Sequence, residues 1–179
     1  EPPRSLRSLP PEGAPRVLGN GPANPGMTLL ECIEQQSARL TQAGVSFGHG
    51  TSNAFDEAVW LALWRLGLPL DDLDSVAQRE LTPAERLGIE SLVDARIATR
   101  KPAAYLTGEA WLQGVPFTVD ERVIVPRSLI AELIADGTAG AWLSERTQRV
   151  LDLCTGSGSL AVLAAMAWPD VHVDAADLS

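Results

Sequence analysis

The stretch Arg149-Val150-Leu151-Asp152-Leu153-Cys154-Thr155-Gly156-Ser157-Gly158-Ser159-Leu160-Ala161 decides the architecture of this chain. Its first five residues form a short apolar run of the kind a buried strand uses. Two glycines then turn the chain, and an apolar segment at helix length runs from Gly156 to Ala167. Val171 to Ala176 reads as a second strand, so the whole is one βαβ unit. A glycine loop that opens a helix lets a ligand approach the backbone and aims free amide N–H groups at it. Asp177 stands nineteen residues beyond Gly158, at the end of the second strand, where a carboxylate accepts hydrogen bonds from both hydroxyls of a ribose. A nucleoside-containing cofactor is the expected ligand.

Gly156-Ser157-Gly158-Ser159-Leu160-Ala161 alone also satisfies the dinucleotide fingerprint, which leaves a nicotinamide enzyme as one alternative. Two features favour S-adenosylmethionine. A spacer separates the strand from Gly156, whereas a dinucleotide enzyme usually reaches its first glycine straight off the strand. In addition, Asp152 sits four residues before that glycine. An acid there suits the sulfonium or amino group of a cationic cofactor and repels a pyrophosphate. The plainer roles stay open: Asp152 as a cap of the loop, Asp177 as a solvated strand-end carboxylate.

Upstream, a helix is expected near Leu129 to Asp136. Tyr105 to Val125, rich in aromatic and β-branched residues and broken at Gly114-Val115-Pro116, reads as a β-hairpin. Before it stand three helices. The first runs from Thr28 to Ala43 and stops at Gly44, with Thr28 and Glu31 as a capping box. The second spans about Asn53 to Leu66, and its stretch Ala58-Val59-Trp60-Leu61-Ala62-Leu63-Trp64 makes it the most buried, with Trp60 and Trp64 as core residues. The third opens at Thr82-Pro83-Ala84-Glu85 and ends before Pro102. Asp71, Asp72 and Asp74 are expected in a solvated turn between the last two helices.

Residues 1 to 26 hold seven Pro and four Gly with only Leu and Val as large apolar side chains, a composition that cannot order itself by burial. The domain plan is therefore a Pro/Gly-rich extension over 1–26 with Met27 as an alternative start, a helical unit over 27–101, a hairpin linker over 102–127, and the start of a cofactor domain over 128–179.

With 179 residues, 45% of them hydrophobic and 21% charged, the chain is globular in composition and long enough for a packed core. Its formal charge of −9 argues against a general phosphate-backbone binder, so no direct nucleic-acid binding is expected. The longest run free of polar side chains is the nine residues from Leu160 to Trp168, too short to cross a bilayer, and the first residues lack the apolar run of a secretory signal. The cytoplasm is the expected compartment. Cys32 and Cys154 show neither C-x-x-C nor a His partner at metal spacing, so both are expected to be reduced core thiols, with no metal site.

Arg100-Lys101-Pro102-Ala103-Ala104-Tyr105-Leu106-Thr107-Gly108-Glu109, Phe117-Thr118-Val119-Asp120, Val125-Pro126-Arg127 and Asp152 to Gly158 together resemble the HemK-type methyltransferases, which modify glutamine side-chain amides of translation proteins. The resemblance covers roughly residues 27 to 179. Phe47-Gly48-His49-Gly50-Thr51, Asp56-Glu57-Ala58, Glu109-Ala110-Trp111 and Asp120-Glu121-Arg122-Val123 are similar to the branch acting on ribosomal protein L-three of the large subunit. The release-factor branch usually has Gly at the position of Cys154, and acidic and Thr residues that are missing here after Arg127.

The resemblance implies an α/β fold: an N-terminal helical bundle plus β-hairpin, then a truncated Rossmann-like methyltransferase domain using S-adenosylmethionine. By position it assigns Cys154, Thr155, Gly156, Ser157 and Gly158 to the cofactor loop and Asp177 to the ribose. It assigns Pro126 and Arg127 to shaping a pocket and places Ile124 beside the substrate glutamine. His49, between glycines, is expected as a loop or branch-specific contact rather than a base.

The family holds its substrate amide with an Asn-Pro-Pro-Tyr motif, and no such sequence occurs in these 179 residues. The chain is therefore expected to be the amino-terminal fragment of a glutamine methyltransferase, inactive by itself and poorly ordered beyond about Arg149. The alternatives are a release-factor methyltransferase and a non-catalytic module that binds a ribosomal protein.

Overall fold

The computed structural model describes residues 26–178. The extension expected over 1–26 lies outside them except for Gly26. In chain order come α1 (Leu29–Gln42), α2 (Ala54–Leu66), α3 (Leu73–Val76), α4 (Pro83–Thr99), α5 (Ala103–Thr107), β1 (Glu109–Leu112), β2 (Val115–Thr118), α6 (Leu129–Ala135), a 3-10 turn (Thr138–Trp142), β3 (Arg149–Leu153), α7 (Ser159–Ala167) and β4 (His172–Ala176).

The helix starts follow from local chemistry. In α1 the Thr28 N–H donates to Glu31 Oε2 at 2.8 Å, while Thr28 Oγ1 accepts from the Glu31 N–H at 3.2 Å. The same reciprocal pair, Thr82 with Glu85, opens α4 behind Pro83. Asn53 caps α2 by accepting from the Asp56 N–H at 2.9 Å, and Gly67 ends that helix with a left-handed φ of 65°. The chain preceding α4 runs antiparallel beside the start of α1, with Leu29 N–H donating to Arg79 O and Leu81 N–H to Met27 O.

Helices α1, α2 and α4 enclose one core. Leu29, Ile33 and Leu40, Ala58, Leu61 and Ala62, and Ile89 and Val93 are all fully buried in it. Each large aliphatic side chain so removed from water contributes about 1.5–3 kcal/mol. As expected, α2 is the most buried of the three, with six buried residues among its 13. The acids Asp71, Asp72 and Asp74 are exposed, but they flank and enter the single-turn helix α3 rather than a plain turn.

A second core lies under the hairpin, α6 and α7, built on Ala104, Phe117, Val125, Ala131, Ile134 and Leu163. The expected hairpin is present but shorter. Tyr105 to Thr107 belongs to α5, held between Pro102 and Gly108, and Tyr105 donates its hydroxyl to Val123 O at 2.6 Å. The helix wins because that tether packs the Tyr ring against the second core, which overrides its strand preference. The turn is Gln113-Gly114, with φ of 50° and 75°, while Val115 and Pro116 lie inside β2. Two positive φ values in a two-residue loop match the twist of the strands. Residues 119 to 125 leave the ladder.

Strands β3 and β4 pair in parallel, Arg149 opposite His172 through Leu153 opposite Ala176, with α7 between them in sequence. Both thiols were expected in a core. Cys32 is there, with burial pushing its thiol up, but Cys154 is exposed at the strand end. No helix among the described residues is long and apolar enough to cross a membrane.

Candidate functional site

The glycine loop follows directly from β3. Cys154, Gly156 and Gly158 all have left-handed φ, of 61°, 57° and 79°. This succession leads the chain off the strand end, and α7 then starts at Ser159 behind Gly158, an N-cap residue with no side chain of its own to cap it. A Cβ on Gly156 or Gly158 would meet nothing within 4 Å, so the loop's outer surface is open. Two carboxylates hold the loop. Asp152 Oδ2 accepts from Thr155 Oγ1 at 2.5 Å and from the Ala161 N–H at 3.1 Å, tying the loop to the first turn of α7. Asp177 Oδ2 accepts from the Gly156 N–H at 2.8 Å. Thr155 N–H donates to Ala176 O at 3.1 Å, which fixes the loop to the end of β4.

A cleft of about 460 Å³ opens beside this loop. Gly156 and Ser157 form one wall, and the chain leaving β2, from Thr118 to Val123, forms the other. On that wall Arg122 clamps Asp120 with hydrogen bonds from Nε and Nη2 and from its backbone N–H, which hold the Asp120 carboxyl down at about 2. The cleft therefore faces the loop with an internally neutral ion pair.

A larger groove of about 990 Å³ lies between α2, the chain from Gly67 to Leu73, and the hairpin. Phe55, Trp60, Trp64 and Trp111 supply its aromatic surface, and Asp56, Asp71 and Glu109 supply its charge. Trp60 and Trp64, expected in the core, are half-buried and line this groove; Trp60 also touches both cores. Glu109 Oε1 accepts from Trp111 Nε1 at 2.6 Å, so the two side chains stand together at the rim.

The loop carrying His49 is held from beneath. Glu57 and Arg96, 3% and 2% exposed, pair at 2.7 Å; Thr51 Oγ1 donates to Glu57 Oε2, and Arg96 Nη2 donates to Ser46 O. Sequence reasoning missed this pair. The available signal was that Arg96 continues the apolar spacing of Ile89 and Val93, a place where an unpaired cation is too costly to bury.

The expected site residues divide accordingly. Asp152, Cys154, Thr155, Gly156, Ser157, Gly158 and Asp177 come together in the loop. Pro126 is buried and lines the groove with His49. Arg127 is exposed and donates to Gly48 O at 3.4 Å, joining the same loop from the other side. Ile124 is 63% exposed and lines neither concavity. Among the described residues no three His, Cys, Asp or Glu side chains gather as metal ligands would.

Residues 31–108 match the PrmC N-terminal domain. Ribosomal protein uL3 glutamine methyltransferases are similar over most of the chain. That of Bordetella pertussis is 52% identical over 154 residues, 85% of this chain and 51% of the relative. Those of Burkholderia pseudomallei and Neisseria gonorrhoeae are 49% identical over 156 residues and 46% over 154, covering 87% and 85% of this chain and 51% of each relative. The chain thus spans about half the length of the curated relatives it matches. It is similar to ribosomal protein uL3 glutamine methyltransferases over most of its own length, and to the PrmC N-terminal domain over residues 31–108.

Proposed function

We propose that this chain is the recognition and cofactor-cradling part of an S-adenosylmethionine-dependent enzyme that N-methylates a glutamine side-chain amide of ribosomal protein uL3. In this reading residues 27–101 are the substrate-recognition unit, 102–127 the hairpin linker, and 128–179 the start of a Rossmann-like methyltransferase domain. The carrying observation is the pairing of about half-identical relatives named for that activity with an open glycine loop at the end of a parallel strand.

The residues present fit the cofactor. The open loop before α7 offers room for close approach to the backbone, and its Gly156 N–H is held by the exposed Asp177 carboxylate, a partner a ligand can replace. Asp177, exposed at the strand end, is the ribose acceptor, exchanging its bond to the Gly156 N–H for the hydroxyls. Asp152 holds the loop's shape through Oδ2 and brings a negative charge beneath a cationic ligand. When bound, S-adenosylmethionine supplies an electrophilic methyl group.

An amide nitrogen is a weak nucleophile because its lone pair is delocalised into the carbonyl, so the rate depends on orientation. The chain's contribution is to hold cofactor and protein substrate on one rigid frame, while an Asn-Pro-Pro-Tyr motif, absent from these 179 residues, orients the amide. The test is transfer of a labelled methyl group by the native-length protein to uL3, with release factors as the competing acceptor. Label on a uL3 glutamine, lost in Asp177→Ala together with cofactor affinity, is the expected result. Label on release factors alone, or no binding of S-adenosylmethionine by calorimetry, defeats the proposal.

A further inference from the structure

We infer, on the strength of the methyltransferase reading, that the aromatic groove between α2 and the hairpin docks a basic, apolar-containing segment of the substrate protein at a place separate from the glycine-loop cleft. Its dimensions suit several side chains of a polypeptide: about 990 Å³, walled by Trp60 and Trp64 one helical turn apart on α2 and by Trp111 from β1. Large, stiff aromatic surface of this kind anchors protein partners at small entropic cost.

Charge selects the occupant. The groove is lined by Asp56, Asp71 and Glu109 and by no Lys or Arg. The partners within reach are neutral: Asn53 Nδ2 donates to Asp56 at 2.7 Å and Trp111 Nε1 to Glu109 at 2.6 Å. No ion pair among the described residues neutralises any of the three. With a formal charge of −9 on the chain, this concavity repels acidic segments and concentrates cationic ones. A protein that sits on ribosomal RNA carries Lys and Arg for the phosphates and meets that requirement. The buried Glu57–Arg96 pair holds the His49–Thr51 wall in place, so the groove exists before its occupant arrives.

The experiment is fluorescence anisotropy of labelled 20-residue peptides tiled across uL3, titrated with the native-length protein at low and moderate salt. The tightest-binding peptide is then repeated with its Lys and Arg changed to Gln. The groove predicts at least tenfold weaker binding for the Gln version, for Asp71→Lys and for Trp111→Ala, and affinity that falls as salt rises. Asp71 lies in an exposed loop and Trp111 is 45% exposed on the hairpin, so both variants keep the core. Equal binding by these variants or by the Gln peptide overturns the inference, as does absence of binding by every peptide and by intact uL3. Calorimetry with S-adenosylmethionine on the same samples separates the two claims. Cofactor heat without peptide binding removes the groove and leaves the methyltransferase reading; charge-dependent peptide binding without cofactor heat does the reverse.

Discussion

Cys154 occupies a backbone conformation that favours glycine, with φ at 61° as the chain leaves β3. A non-glycine residue held there costs about 1–2 kcal/mol, against which Cys gains about 0.5–1 kcal/mol over Gly by having less freedom to lose on folding. Cys154→Gly should therefore change stability by no more than about 1.5 kcal/mol, with the sign towards stabilisation. Cys154→Val, whose branched side chain tolerates left-handed φ least, should lose about 1–2 kcal/mol. Thermal unfolding of the three proteins checks the order Gly, Cys, Val; a Val variant as stable as the parent would show that the loop relaxes out of this conformation. The loop's residues were legible in advance because glycine spacing and a strand-end acid are local signals. The division of labour between its acids was not: that Asp152 turns Oδ2 onto Thr155 and Ala161 is settled by where α7 starts, a tertiary matter.

Whole elements divide the same way. Both capping boxes, Thr28 with Glu31 and Thr82 with Glu85, stand in plain text, because a cap and its returning carboxylate are three residues apart. Hydrogen bonds from Thr82 first, and from Arg79 second, hold the Glu85 carboxyl down at about 2. A carboxylate depressed in the folded state stabilises it above the unfolded value and loses that contribution as pH falls towards the folded one. Unfolding temperatures of the parent and Glu85→Gln, followed from about pH 5 to pH 2, should therefore converge as the acid limit is approached. A gap that widened on acidification would contradict the assignment.

Less legible was the tie between α2 and α4, since Glu57 and Arg96 are far apart in sequence and meet only once both helices pack. Removing one partner strands the other charge in the core. Arg96→Met should cost about 3–5 kcal/mol; Glu57→Gln leaves the Arg96 charge without its carboxylate but should cost less, because the Gln amide oxygen can still accept from Arg96 Nε and Ser46 O still accepts from Nη2. Urea unfolding of the two variants tests this. The double variant should lose less than the sum of the two singles, because they share one interaction.

At the scale of the molecule, the hairpin joins two cores of unequal completeness. The helical core is packed among α1, α2 and α4, whereas the parallel pair β3–β4 packs against α7 and leaves the Leu151 and Leu153 side of β3 exposed. Alternation along β3 sends Val150 and Asp152 one way and Leu151 and Leu153 the other, and the latter two are 60% and 70% exposed. Leu129 and Met166, on α6 and α7, are also largely exposed. Parallel strands are ordinarily buried on both faces, and an uncovered apolar edge invites pairing with another chain.

The 179-residue chain should therefore bind a hydrophobic dye and associate with itself in a concentration-dependent way. Leu151→Thr with Leu153→Lys should reduce both without lowering the unfolding temperature, since neither side chain is spent on the second core. The backbone hydrogen bonds of β3 and β4 should also exchange their amide protons well before those of α2, because opening the pair exposes little surface that is not already wet. If the double variant unfolds several degrees earlier, or the strands are protected as strongly as α2 in a monomer, then the outer face of β3 is covered in solution and the asymmetry between the two cores is wrong.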